Sequence, residues 1–263
     1  MRRLRRYARV ARVLGVVSLG LGMAGMFGLL ERLGLNSTMD RRQRWSQFFM
    51  TRLSSALPFR VTVVGEIPAT PMLWVSNHVS WTDIALLGQL TPLSFLSKAE
   101  VRGWPVAGWL AAKAGSLFIR RGAGDSQVIR EQMTRHLQQS LSLLMFPEGT
   151  TTDGTHLLHF HAALLQPAIE SGRPIQPVAL AYLTADGERC RAAAYVGEMS
   201  LLDSLRAILA TPSMIVRLRA LPALTAGSGS RRELALAAHA AIALSLGDPP
   251  PHTAPGTAPD PQA

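Results

Sequence analysis

Val13 to Leu30 carries no charge and is held between Arg12 and Glu31. A helix over this run is about 27 Å long at ~1.5 Å per residue, slightly short of a ~30 Å hydrocarbon core. Lipid or protein must cover such a segment, and nothing else in the chain limits the fold as strongly. Gly15, Gly20, Gly22, Gly25 and Gly28 lie within it, at spacings that allow close helix approach in a membrane. Arg2, Arg3, Arg5, Arg6, Arg9 and Arg12 precede the run, and Arg32, Arg41, Arg42 and Arg44 follow it. With arginines on both sides, the positive-inside rule gives no orientation. A full span and a helix dipping into one leaflet both fit. A cleaved signal peptide is the rival, but no A-x-A-like site follows the run.

The charge pattern points the same way. The chain holds 27 basic and 17 acidic side chains. Residues 1–60 contain 12 arginines against only Glu31 and Asp40, so the remaining residues balance at 15 and 15. A basic arm can serve nucleic acid or a membrane. Here its neighbour is apolar, so anionic lipid headgroups are the partner expected and nucleic acid is not. The 17% charged share lies below the ~25% of an average soluble domain. Cys190 is the single cysteine, which excludes a disulfide scaffold.

Ser37 to Leu57 reads as a second helix, with capping-box spacing between Ser37 and Asp40. Trp45, Phe48, Phe49 and Leu53 recur at helical steps among Arg41, Arg42, Arg44 and Arg52, which suits a membrane surface. From Phe59 the pattern changes. Phe59–Val64, Met72–Val75, Leu93–Leu96, Leu117–Ile119, Leu143–Phe146, Ile175–Ala181, Ala193–Val196 and Met214–Leu218 read as strands. Ile84–Leu90, Val128–Leu141, Ala162–Glu170 and Leu234–Leu246 read as helices. This alternation predicts an α/β fold, a mixed β-sheet flanked by helices, preceded by N-terminal membrane-associated helices. Three segments follow: anchoring helices over 1–57, a domain over 58–246 and a Pro-rich disordered tail over 247–263.

Three stretches carry candidate chemistry. Asn77-His78-Val79-Ser80-Trp81-Thr82-Asp83 follows a predicted strand and opens a predicted helix. A His can take a proton from an alcohol, and an Asp can orient its ring and support the imidazolium. Residues five apart in one helix face different ways. The pair therefore meets only if His78 lies before the helix and Asp83 in its first turn, with Ser80 as N-cap. The same spacing also describes a plain capping box, in which Asp83 only starts the helix. Phe146-Pro147-Glu148-Gly149-Thr150-Thr151-Thr152 is a polar loop at a strand end, where ligands bind in open α/β sheets, or a simple turn. Gly115 to Gly122 ends a strand with Arg120 and Arg121, which could hold an anion or merely face solvent. His156, His159 and His161 have spacings seen in metal sites, but no Cys lies near, and no metal is expected. A serine hydrolase is disfavoured by the lack of a G-x-S-x-G elbow.

Together these stretches resemble the glycerolipid acyltransferase family that includes 1-acylglycerol-3-phosphate acyltransferases and other lysophospholipid acyltransferases. Its NHxxxxD, GxxFIxR, FPEGT and Pro-Val blocks match Asn77–Asp83, Gly115–Arg121, Phe146–Thr150 and Ile175–Val178, in order, across about residues 60–185. The resemblance implies an O-acyltransferase at the inner (cytoplasmic) membrane, with its catalytic domain on the cytoplasmic side. His78 would be the base on the acceptor hydroxyl and Asp83 its partner. Asn77, Arg120, Arg121, Glu148, Gly149 and Thr150 would contact substrate. The donor would be an acyl thioester on acyl carrier protein or coenzyme A, attacked directly by the acceptor, with no cofactor. The expected acceptor is 1-acylglycerol-3-phosphate, giving phosphatidate. Two departures favour the alternative, lyso-ornithine lipid or another lysolipid: Thr151 stands where phosphatidate-forming members often have Arg, and Arg120 where they often have Asp. A non-catalytic membrane-binding module is the rival of another class.

Overall fold

In the computed structural model, the structure describes residues 2–35, 38–120, 126–227 and 229–247. Ser37, Arg121 and the tail beyond Gly247 lie outside the described residues. The chain opens with two helices, α1 (Arg2–Arg32) and α2 (Met39–Ala56). Strands β1 (Phe59–Val64), β2 (Leu73–Ser76), β3 (Ser94–Lys98), β4 (Leu117–Ile119), β5 (Leu143–Met145), β6 (Ile175–Leu183) and β7 (Met214–Ala220) follow. Between and after them run α3 (Asp83–Gly88), α4 (Ala107–Lys113), α5 (Ser126–Gln138), α6 (Gln166–Ser171), α7 (Leu201–Ala210) and α8 (Arg231–Leu246).

The strands form one mixed sheet in the order β1-β7-β6-β2-β5-β3-β4. β6, β2, β5, β3 and β4 are mutually parallel, while β7 runs antiparallel to β6 and parallel to β1. All four residues of β2 are buried, as a central strand covered on both faces requires. Alternate side chains enter two cores. Trp74, Leu180 and Tyr182 pack with α1, α2, α3 and α7 on one face. Leu73, Val75 and Ala179 pack with α5, α6 and α8 on the other. Leu86 is fully buried in the first core, where truncation to Ala would cost about 2–5 kcal/mol.

The connections create a crevice. After β2 the chain passes through α3 to β3, beyond β5; after β5 it passes through α6 to β6, on the other side of β2. The two crossovers leave in opposite directions on opposite faces of the sheet, so space opens at the carboxyl ends of β2 and β5. Both the Asn77–Asp83 and the Phe146–Thr152 loops emerge there.

The two N-terminal helices pack antiparallel against each other. Gly20 faces the Phe49 ring so closely that a Cβ there would lie 2.4 Å from it. Phe27 meets Trp45 edge-on at 6.0 Å. By contrast Gly15, Gly22 and Gly25 face open space, so only part of the glycine run serves close approach. Gln43 fixes α2 to the sheet: its buried amide donates to Ser94 Oγ at 3.1 Å and Ser142 O at 2.9 Å. Arg9 of α1 donates to Leu209 O and Thr211 O at the end of α7. Glu31, at the other end, pairs with Lys113 and Arg42.

Some expectations need correction. The strand expected at Ala193–Val196 is absent. A short 3-10 turn over Arg191–Ala193 leads instead into an extended stretch, whose Tyr195 N–H donates to Val79 O at 2.9 Å. Buried Ala193 and Ala194 gave the apolar signal, but the stretch closes the Asn77–Asp83 loop rather than joining the sheet. The N-cap of α2 is Thr38, whose hydroxyl accepts from Arg41 N. Asp40, expected in that capping box, pairs with Arg44.

Candidate active site

His78 stands in the loop after β2, and Asp83 is the first residue of α3. The five-residue gap thus folds into a tight turn, and His78 Nδ1 lies 2.8 Å from Asp83 Oδ2. The same oxygen accepts from Val79 N at 2.7 Å and Ser80 N at 2.9 Å. Asp83 Oδ1 accepts from the Tyr182 hydroxyl at 2.6 Å. Asp83 is wholly buried, so these donors and the start of α3 replace water around its charge. Both readings of the spacing hold together: Asp83 reaches back to Ser80 N as a capping-box residue does, and it binds the His78 ring. The expected cap at Ser80 shifts, however. Thr82 is the N-cap, while the Ser80 hydroxyl accepts from Thr82 N at 3.4 Å and its carbonyl from Asp83 N at 3.1 Å.

A carboxylate can only accept, so His78 Nδ1 carries the proton and Nε2 presents a lone pair. No hydrogen bond from a described residue takes Nε2, and the side chain is 18% exposed at the crevice. The ring stacks on Phe146, with centroids 3.8 Å apart and planes at 8°. Orientation is therefore fixed by the carboxylate at one edge and an aromatic face beneath.

Glu148 clasps the loop from below. Its Oε1 accepts from His78 N at 2.7 Å and its Oε2 from Leu158 N at 2.8 Å. On the other side of the same residue, Thr152 N donates to His78 O at 2.8 Å. Burial pushes the Glu148 carboxyl up to about 7. The two N–H groups oppose that rise, and the Asp83 charge adds to it. Tyr182 is raised well above its ordinary range, first by burial and then by the charge and hydrogen bond of Asp83, so it stays a donor. Its oxygen in turn lies 2.6 Å from the Thr82 hydroxyl.

The other expected residues fall into three groups. Asn77 is turned to the fold: its amide donates to Leu180 O at 2.9 Å and accepts from Leu180 N at 2.8 Å, prolonging the β2–β6 ladder. Glu148 is likewise buried and engaged with backbone, not open to a ligand. Gly149, with φ of 70° in the turn closed by Gly149 N to Phe146 O, and exposed Thr150 stand at the crevice rim. Arg120 is exposed at the end of the edge strand β4, three strands from β2, about 14 Å away at ~4.8 Å per strand. Thr151 donates to Tyr195 O. His159 and His161 stack edge to face at 5.9 Å, and among the described residues no three His, Cys, Asp or Glu side chains gather as a metal site would need. Sequence reasoning missed Tyr182 and the role of Phe146; neither has a local spacing signal, because their partners lie 99 and 68 residues away.

A family model described as Acyltransferase matches residues 59–181. The chain is 49% identical to a lyso-ornithine lipid O-acyltransferase of Pseudomonas aeruginosa, over 94% of this chain and 95% of that protein. The chain belongs to the acyltransferase family. It is also 30% identical to the Brucella abortus lyso-ornithine lipid O-acyltransferase over 79% of this chain and 85% of that one. Identity to the 1-acyl-sn-glycerol-3-phosphate acyltransferase of Neisseria meningitidis serogroup B is 34%, over 62% of this chain and 65% of that one. The crystal structure of the 1-acyl-sn-glycerophosphate acyltransferase of Thermotoga maritima superposes with a TM-score of 0.68, at 20% identity, over 94% of this chain and 97% of that chain, which supports the shared fold. This acyltransferase acts on lysolipids, and among the described residues the helix long and apolar enough to cross a membrane is α1.

Proposed function

We propose that this acyltransferase is a lyso-ornithine lipid O-acyltransferase that works at the cytoplasmic face of the inner membrane. The observation that carries the acceptor is the 49% identity, nearly end to end, to the Pseudomonas aeruginosa protein of that name. Sequence likeness to the two Neisseria proteins named for 1-acyl-sn-glycerol-3-phosphate is 34% and 37%, over 62% and 54% of the chain. The site agrees with this choice. A phosphate monoester calls for guanidinium groups; the loop beside His78 places Thr151 where one could stand, turned to Tyr195 O, and the Arg191 guanidinium, 3.9 Å from Asp153, is exposed and aimed at that carboxylate. Arg120 is three strands away.

The chemistry needs one base. His78 Nε2 takes the proton of the acceptor hydroxyl as its oxygen attacks the thioester carbonyl. Asp83 holds the ring and offsets the imidazolium charge. The tetrahedral adduct then collapses: a C–O bond has formed, the C–S bond breaks, and the imidazolium returns its proton to the leaving sulfur. Asn77, Glu148 and Tyr182 are positioning residues for this pair, while Gly149 and Thr150 form the rim that the acceptor crosses. The donor is an acyl thioester of carrier protein or coenzyme A.

Membrane attachment follows from α1. Its two ends are tied to one body, through Arg9 to α7 and through Glu31 to α2 and α4. A helix so held cannot cross a bilayer while the rest of the chain stays on one side. We therefore assign it to one leaflet, with Leu14, Leu19, Met26 and Leu29 exposed toward lipid.

The test is a substrate panel. Purified protein in detergent receives acyl carrier protein or coenzyme A donors, with lyso-ornithine lipid or lysophosphatidate as acceptor. Acylation of lyso-ornithine lipid at least tenfold faster is expected. Preference for lysophosphatidate would reverse the assignment.

A further inference from the structure

The hairpin of α1 and α2 contains a groove of about 420 Å³ lined by Arg12, Gly15, Val16, Leu19, Phe48 and Arg52. The helices run antiparallel, so Arg12 and Arg52 stand toward one end while Leu19 and Phe48 stand toward the other. Arg12 to Leu19 spans about 10 Å at ~1.5 Å per residue. Gly15 forms an open floor, with nothing within 4 Å of where its Cβ would be. Leu19 and Phe48 are 42% and 41% exposed. The guanidinium of Arg52 lies over the Phe48 ring at 5.0 Å, which holds the charge at the groove.

The two arginines meet no carboxylate of the described residues. The first 60 residues hold only Glu31 and Asp40 as acids. Glu31 is taken by Arg42 and Lys113, and Asp40 by Arg44. Among the described residues no carboxylate supplies a counter-ion for the groove. A site with two cations at one end and an apolar lining at the other, on the face read as lipid-facing, matches a phosphate diester joined to an acyl chain.

We propose that this groove binds one anionic phospholipid of the host bilayer, phosphate between Arg12 and Arg52 and acyl chain along Val16, Leu19 and Phe48. The site lies apart from the catalytic crevice and rests on the single-leaflet docking above. It would make attachment depend on anionic lipid as a bound ligand as well as a charged surface. An acidic carrier protein is the competing occupant, but it would have to cover exposed Leu14, Leu19 and Phe48.

The probe is a short-chain phosphatidylglycerol, titrated by calorimetry into the full chain held in neutral-detergent micelles. Saturable binding near one to one is expected, lost at least tenfold in Arg12→Ala/Arg52→Ala. Gly15→Leu fills the floor without changing charge and should cause a similar loss, and circular dichroism checks that the helices persist. The pair Arg6→Ala/Arg41→Ala removes equal charge elsewhere and should leave binding unchanged. Non-saturating uptake, equal loss in both arginine pairs, full binding by Gly15→Leu, or displacement only by carrier protein would each overturn the proposal. Single-leaflet docking is judged separately, by labelling accessibility of both ends of α1 in sealed vesicles, so the two ideas can fail independently.

Discussion

Asp83 accepts from four donors inside the chain, whereas Arg12 and Arg52 of the N-terminal hairpin meet no carboxylate of the described residues. The crevice loops are closed on themselves. Each charge there has a partner, His78 is gripped at its N–H, its carbonyl and its ring, and most of the side chains are buried. The hairpin is the opposite: apolar side chains face outward, and cations outnumber acids. A site that must hold one geometry takes its partners from the protein. A surface that must meet a bilayer leaves both its apolar area and its charge to be completed by lipid.

The strongest way to break this comparison is at the base itself. His78→Ala should lower acyl transfer by about 10²–10⁴-fold while thermal unfolding and vesicle binding stay near those of the parent chain. Equal loss of both would mean that the loop is structural only. Glu148→Gln comes next. An amide can accept from only one of the two backbone N–H groups, and losing a charged hydrogen bond there costs about 1.5–3 kcal/mol. The variant also carries a pH signature. The Glu148 carboxyl is raised from 4.5 to about 7, so between those values the folded chain keeps a proton that the unfolded chain has released. Its contribution to stability therefore falls as pH rises through that window and is level above it. Melting temperatures at several pH values should show this slope in the parent chain and a flatter one in Glu148→Gln.

Tyr182→Phe sharpens the comparison more gently. It removes one of four donors from the buried Asp83 carboxylate, costs about 1.5 kcal/mol, and should lower the melting temperature by about 3–6 °C, with a rate loss of a few fold read in single-turnover assays. An unchanged rate and melting temperature would remove Tyr182 from the positioning set. The smallest effect belongs to the hairpin. Glu31→Gln breaks two solvent-screened ion pairs and should barely shift the melting temperature, because exposed pairs contribute little. A large drop would mean that the hairpin is held as the crevice is.

Much of the crevice was legible because its signals are local. His78 and Asp83 are five residues apart, and the requirement that the ring precede the helix follows from helix geometry alone. The Phe146–Thr152 loop was placed at a strand end, as it is found. The role of Glu148 was not legible, since its partners are backbone groups 70 and 10 residues away. Asn77 read as a polar group near the chemistry and instead completes a strand pairing with Leu180. The stretch Ala193–Val196 misled for a related reason: apolar burial is common to strands and to segments that merely cover a loop. The helices α4 and α7 were not foreseen, although α3 and α6, which were, are shorter still.

By itself the sequence determined what depends on near neighbours and on totals: an uncharged run between Arg12 and Glu31, a basic first segment, an alternating α/β order and the His78–Asp83 spacing. Only the tertiary structure decided how these meet. It laid α1 along the domain, through Arg9 at one end and Glu31 at the other. It brought the Tyr182 hydroxyl to Asp83, and among the described residues it gave Arg12 and Arg52 no carboxylate while Arg42 and Arg44 found theirs. The reason is range. Helix and turn signals act over three to five residues, but a buried charge is satisfied by whichever donors the folded sheet brings to it, and those come from anywhere in the chain.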